Sequence, residues 1–128
     1  GPDEVEAVAC GQGGLLSGSR PGDVHADLTT GSFARARWLA EQEAAAGVSY
    51  LDAPVSGGRV GVEQGSLSVM ASGPRPALDR VRPVLEAFAG HIFYLGDQTG
   101  TGSTSGTRPG PAPWPSWSTT PSCCAAGW

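Results

Sequence analysis

Three stretches of this sequence combine residue types that can do chemistry. The first is Asp52-Ala-Pro-Val-Ser-Gly-Gly58, followed closely by Gly61 and Gly65. A serine hydroxyl beside two glycine amides makes a cradle for a small carboxylate, because hydrogen bonds to an ionised acceptor are strong. Gly57 and Gly58 lack Cβ atoms, so their amides can approach a ligand closely. By residue type alone, a plain glycine loop fits equally well. The second stretch is Asp27-Leu-Thr-Thr30. Thr30 could hydrogen-bond a ribose or a carboxamide, or Thr30 and Ser32 could simply cap the next helix. The third is a pair of glycine clusters, Gly11-Gln-Gly-Gly14 and Gly100-Thr-Gly102. A phosphate-binding Gly-x-Gly-x-x-Gly turn needs a strand before it and a helix after it. The first cluster has Leu16 in the third glycine's place and no strand before it. The second leads into Thr107-Arg-Pro-Gly-Pro111, which is not a helix start.

Other chemistries are excluded by what the sequence lacks. A nucleophile elbow requires Gly-x-Ser-x-Gly, and Pro54 occupies its first position. His25 and His91 both fall in predicted strands, and no motif joins them to Ser56. Cys10, Cys123 and Cys124 show neither a disulfide framework nor metal-ligand spacing, so no metal is expected. The 128 residues carry a net charge of −4, and all eight basic residues are arginine. That balance argues against a nucleic-acid partner, which would select clustered positive charge. No apolar run approaches the ~20 residues of a membrane span. No secretory signal pattern is visible, and the cysteine usage fits a reducing compartment, so a cytoplasmic setting is expected.

The elements that must position these residues alternate between helix and strand. A short helix is predicted from Asp3 to about Cys10, then a glycine-rich connector over 11–22, then a strand over Val24–Thr29. Ser32 is placed as the N-cap of a helix over Phe33–Ala46, with Gly47 as its stop. A strand over Val48–Leu51 follows, then a long loop over Pro54–Gly65 and a strand over Ser66–Ala71. Pro76 opens a helix whose apolar face is Leu78, Val81, Leu85 and Phe88. Pro83 is expected to kink it and Gly90 to end it, before a last strand over His91–Leu95. Strand, helix and strand in tight succession predict a right-handed βαβ unit and an α/β sheet. From about residue 98 the pattern stops. Gly, Pro, Ser and Thr dominate, and four prolines within 109–115 exclude a helix or a central strand. The expected division is therefore 1–97 as a partial domain and 98–128 as a low-complexity, disordered tail.

Together these segments resemble the β-hydroxyacid dehydrogenase family. That group includes 3-hydroxyisobutyrate dehydrogenase and tartronate semialdehyde reductase, with 6-phosphogluconate dehydrogenase a relative. The run from Gly13 to Leu16 and from Gly22 to Thr30 resembles the late half of the family's cofactor domain. Asp52 to Gly58, with Gly61 and Gly65-Ser-Leu67, resembles its substrate-binding signature. The likeness covers about residues 3–104. It implies the C-terminal half of a Rossmann-type NAD(P)-binding domain, followed by an irregular tail. It also implies NAD(P)-dependent oxidation of a small hydroxy acid. By the same likeness, Ser56, Gly57 and Gly58 match positions that hold the substrate's carboxylate and hydroxyl. Thr30 matches a position at the nicotinamide end of NAD or NADP.

The resemblance also shows departures. The family's general acid/base is a lysine on the helix after a Gly-x-Gly turn. Aligning that turn with Gly100-Thr-Gly102 puts the lysine's place at Gly106, and the chain contains no lysine. The family's pyrophosphate turn would lie upstream of Gly1, and its helical domain would follow the lysine. His25 and Ala26 stand where the family strand is usually aliphatic, and Val62 replaces a usual alanine. The expectation is a fragment, truncated at both ends and inactive alone, whose tail after Thr104 is read out of frame. The alternative is a noncatalytic ligand-binding or interaction module that reuses the fold. A missing first half would leave a sheet edge unpaired, through which two copies would form a homodimer.

Overall fold

The computed structural model describes residues 2–100. It contains five helices, α1 (Pro2–Cys10), α2 (Leu15–Gly18), α3 (Phe33–Ala45), α4 (Gly58–Gln64) and α5 (Arg75–Leu85), and five strands. The strands are β1 (Val24–Asp27), β2 (Ser49–Asp52), β3 (Val55–Ser56), β4 (Leu67–Ala71) and β5 (Ala89–Tyr94). None of the helices is long and apolar enough to cross a membrane. The expected tail from residue 101 onward, the place at Gly106, the 109–115 prolines and Cys123–Cys124 lie outside the described residues.

The βαβ unit is present as β1–α3–β2, with β1 and β2 parallel and Asp27 level with Asp52. A second unit, β4–α5–β5, is also parallel. Between them β3 runs antiparallel to β4, with Ser56 opposite Ser68. A single bridge between Asp52 and Ser72 joins the two sheets. Among the described residues β1 pairs with β2 alone, so its outer edge is free.

Alternation along the strands sorts side chains between two faces. On one face Leu51, Ala53, Val69 and Ala71 pack against Leu78 and Leu85 of α5. On the other, Tyr50 packs with Leu39 and Ala36 of α3 and with Ala9 of α1. Ser32 caps α3 as expected, its Oγ accepting the Arg35 amide at 3.3 Å. Gly47 adopts φ +76° just past the helix and donates to the Ala44 carbonyl, which is the left-handed stop that glycine allows.

Five expectations are corrected. The Pro54–Gly65 loop contains β3 and α4. Helix propensity in Arg59-Val-Gly-Val-Glu63 is poor, but packing overrides it: a Cβ at Gly61 would lie 2.8 Å from Leu67 Cδ2, so only glycine lets α4 sit on Leu67. The 11–22 connector holds the short α2. The first strand stops at Asp27, because Thr29 turns back to bond the Asp27 side chain. The last helix ends at Leu85 rather than Gly90, and Gly90 lies in β5. Pro83 does not interrupt α5. It removes one intrahelical amide bond in the last turn, yet α5 runs through it to Leu85.

Candidate functional site

β1 and β2 are parallel neighbours, so both chains leave the sheet at the same end. In an open α/β sheet, ligands bind at the carboxyl ends of strands. From β1 the chain enters Leu28–Gly31. Asp27, almost buried, holds this turn: its Oδ1 accepts the Thr29 amide at 2.9 Å and the Thr29 hydroxyl at 2.7 Å. Its Oδ2 accepts the phenol of Tyr50 at 2.7 Å. Thr29 is thereby occupied, whereas Thr30 is exposed, its side chain making no hydrogen bond among the described residues.

From β2 the chain passes through buried Ala53 and Pro54. The Ala53 amide still donates to the Asp27 carbonyl at 2.8 Å, while the Pro54 carbonyl already accepts from Met70 of β4 at 3.0 Å. The strand thus changes partner at Pro54, and β3 delivers Ser56 to the surface. Gly57 (φ +130°) and Gly58 (φ +56°) then turn the chain into α4. Ser56, Gly57 and Gly58 are all exposed. A Cβ at Gly58 or at Gly31 would meet nothing within 4 Å, so both turns have open space in front of them.

The structure therefore places Thr30 on the turn after β1, and Ser56 at the end of β3 in the second sheet, with Gly57 and Gly58 turning the chain into α4. It does not bring a histidine to Ser56. His25 is bonded to Glu43 and His91 stacks on Phe93. Gly11–Gly14 forms the α1–α2 turn. Gly100 packs against Phe33, at the start of α3.

Sequence reasoning missed the support beneath the site. Tyr50 reads as an ordinary strand aromatic, and Asp27 as part of a polar strand end. In the fold Tyr50 is buried, and its phenol is pushed far above the usual tyrosine range. Burial is the main cause, followed by the bond to Asp27 and the nearby charges of Asp27, Asp52 and Glu43. Tyr50 therefore stays a hydrogen-bond donor. No sequence pattern announces this support, because it rests on the β1–β2 register, in which Asp27 lies level with Asp52.

Residues 1–96 match the family model described as the NAD binding domain of 6-phosphogluconate dehydrogenase. The chain belongs to this family. It is 41% identical over 101 residues to L-threonate dehydrogenase of Escherichia coli O6:H1, covering 79% of this chain and 33% of the relative. The solved 3-hydroxyisobutyrate dehydrogenase of Salmonella typhimurium superposes with a TM-score of 0.75 at 38% identity, covering 80% of this chain and 35% of that one. A protein named Psf3, solved with NADP+ and 2-OPP, also gives 0.75, at 33% identity, covering 80% of this chain and 36% of that one. The chain spans about a third of the length of these relatives. The Rossmann-type α/β class expected from the sequence is the fold observed.

Proposed function

We propose that this chain forms the nicotinamide- and substrate-facing half of the cofactor domain of an NAD(P)-dependent oxidoreductase. The reaction is at the CH–OH group of a small hydroxy acid of the 3-hydroxyisobutyrate type. The observation that carries this reading is that β1 and β2 run parallel and leave their sheet at the same end: β1 leads into the exposed Thr30 turn, and β2 continues through Ala53 and Pro54 into β3, which ends at exposed Ser56 before the Gly57-Gly58 turn. Family membership and the dehydrogenase relatives support it.

In this reading the Ser56 hydroxyl and the Gly57 and Gly58 amides hold the substrate's carboxylate and hydroxyl. Positive φ at both glycines lets two successive amides serve one anion. Thr30 offers its free hydroxyl to the nicotinamide end of NAD or NADP. The cofactor, when bound, supplies the hydride acceptor or donor. The residues present fit that end of it, since both turns are open. The glycine turn that would hold the pyrophosphate is not among the chain's residues.

The chain supplies no lysine. Loss of a general acid/base costs roughly 10²–10⁴ in rate, so the chain alone is expected to be inactive. The same absence favours the second reading, a noncatalytic ligand-binding or interaction module. Incubating the purified chain with NADP+ and 3-hydroxyisobutyrate, and following reduced nicotinamide, tests the point. The proposal expects no turnover, together with saturation transfer from the protein to nicotinamide protons. Clear turnover contradicts inactivity, and no nicotinamide contact contradicts the site. The free outer edge of β1 is where two copies of the chain would pair.

A further inference from the structure

We infer that Asp27 is the positioning residue of the Thr30 turn, locking Thr29 so that Thr30 is the hydroxyl presented to the cofactor. The inference rests on the proposed reading of Thr30. Three bonds converge on this one carboxylate. Oδ1 takes both the amide and the hydroxyl of Thr29, and Oδ2 takes the phenol of Tyr50. The β1–β2 ladder also continues past the carboxylate, with the Ala53 amide on the Asp27 carbonyl. Asp27 is thus fixed from β2 at both its main chain and its side chain. Among the described residues, the next side-chain tether of the turn is Ser32, which caps α3.

Two hydroxyls stand side by side at positions 29 and 30, and the family resemblance points to Thr30 without a physical reason for passing over Thr29. The geometry separates them. The Thr29 hydroxyl is spent on Asp27, while Thr30 remains exposed with open space at the neighbouring Gly31. Tyr50 is held protonated by its buried surroundings, so its donor to Asp27 persists across the neutral range.

The test compares Asp27→Ala with Asp27→Asn in the full chain. An asparagine keeps an oxygen for Thr29 but puts an amide donor where Oδ2 accepts the Tyr50 phenol, whereas alanine frees the turn. Amide hydrogen exchange at Thr29 reads the turn without any ligand. The expected result is exchange faster by about tenfold or more in Asp27→Ala, with Asp27→Asn closer to the parent. With NADH as the probe, the ratio of saturation transfer at nicotinamide to that at adenine protons should fall in Asp27→Ala and hold in Asp27→Asn. Both variants should melt at lower temperature, so a merely structural role would move both readouts together. If Asp27→Ala does not fold, Thr29→Val at an exposed position carries the test: the nicotinamide signal falls while the melting temperature holds. Unchanged Thr29 exchange in Asp27→Ala overturns the inference, as does a Thr29→Val variant with the parent's nicotinamide signal. Absence of a nicotinamide signal in the parent chain, with Thr29 exchange still dependent on Asp27, counts against the cofactor reading instead.

Discussion

Glu43 of α3 is fully buried, and its Oε1 lies 2.6 Å from Nδ1 of His25 on β1. Its Oε2 has no hydrogen-bond partner. The pair ties the helix to the edge strand that leads into the Thr30 turn, and the His25 ring also meets Tyr50 edge-on at 5.4 Å. Breaking one side of a buried pair strands the other. His25→Val should therefore cost about 3 kcal/mol, while His25→Val with Glu43→Leu should be near neutral or stabilising. A double-mutant cycle by urea unfolding checks this. Simple additivity of the two single substitutions would refute it.

Tyr50 gives the fold an alkaline limit. Its folded-state value is raised, chiefly by burial and then by the Asp27 bond. A raised value means the native state holds its proton more tightly than the unfolded chain does. The stabilisation is complete below the unfolded phenol's value of about 10 and declines as pH rises above it. Tyr94, held up by its bond to Asp97, titrates in the same direction. The readout is therefore the difference between parent and Tyr50→Phe in melting temperature against pH. The two curves should converge as pH rises past that value. A constant gap would argue against the buried phenol.

The glycines at 57 and 58 should differ in tolerance. At Gly57 φ is +130° and a Cβ would lie 3.0 Å from Leu67 Cδ2. Gly57→Ala should therefore cost about 2–3 kcal/mol. At Gly58 φ is +56° with open space around it, so Gly58→Ala should cost about 1 kcal/mol. Denaturant melts rank the two, and a larger loss at Gly58 would contradict the described turn.

Leu78 is fully buried between α5 and the faces of β2 and β4. Leu78→Ala should lower stability by about 2–5 kcal/mol, because it leaves a cavity under both sheets. Val84, on the exposed side of the same helix, should tolerate alanine within about 0.5 kcal/mol. Equal losses at the two positions would mean that α5 faces otherwise.

Much of this was legible in the sequence. Ser32 and Gly47 bound α3 because capping chemistry is local and needs only the residues themselves. The Leu78–Val81–Leu85 stripe reads directly as a buried helix face. What escaped was set by tertiary contact. α4 forms because Gly61 accommodates Leu67, and neither residue announces the other in the sequence. Gly90 reads as a helix stop, yet it lies in β5, where a Cβ would come within 3.1 Å of Ser66 Cα. The proposed site residues Ser56, Gly57, Gly58 and Thr30 stood out by type and by family likeness. The Asp27–Tyr50 support did not, because it depends on the β1–β2 register.

The central proposal is that Thr30 and Ser56–Gly58 form one ligand site. Its most direct test is an amide-resolved NMR titration of the full chain with NADH and 3-hydroxyisobutyrate, added separately and then together. The account predicts shifts at Ser56, Gly57 and Gly58 with the hydroxy acid and at Thr30 with NADH, with Ala87–Gly90 unmoved. Shifts absent from both turns, or confined to residues remote from them, would contradict it.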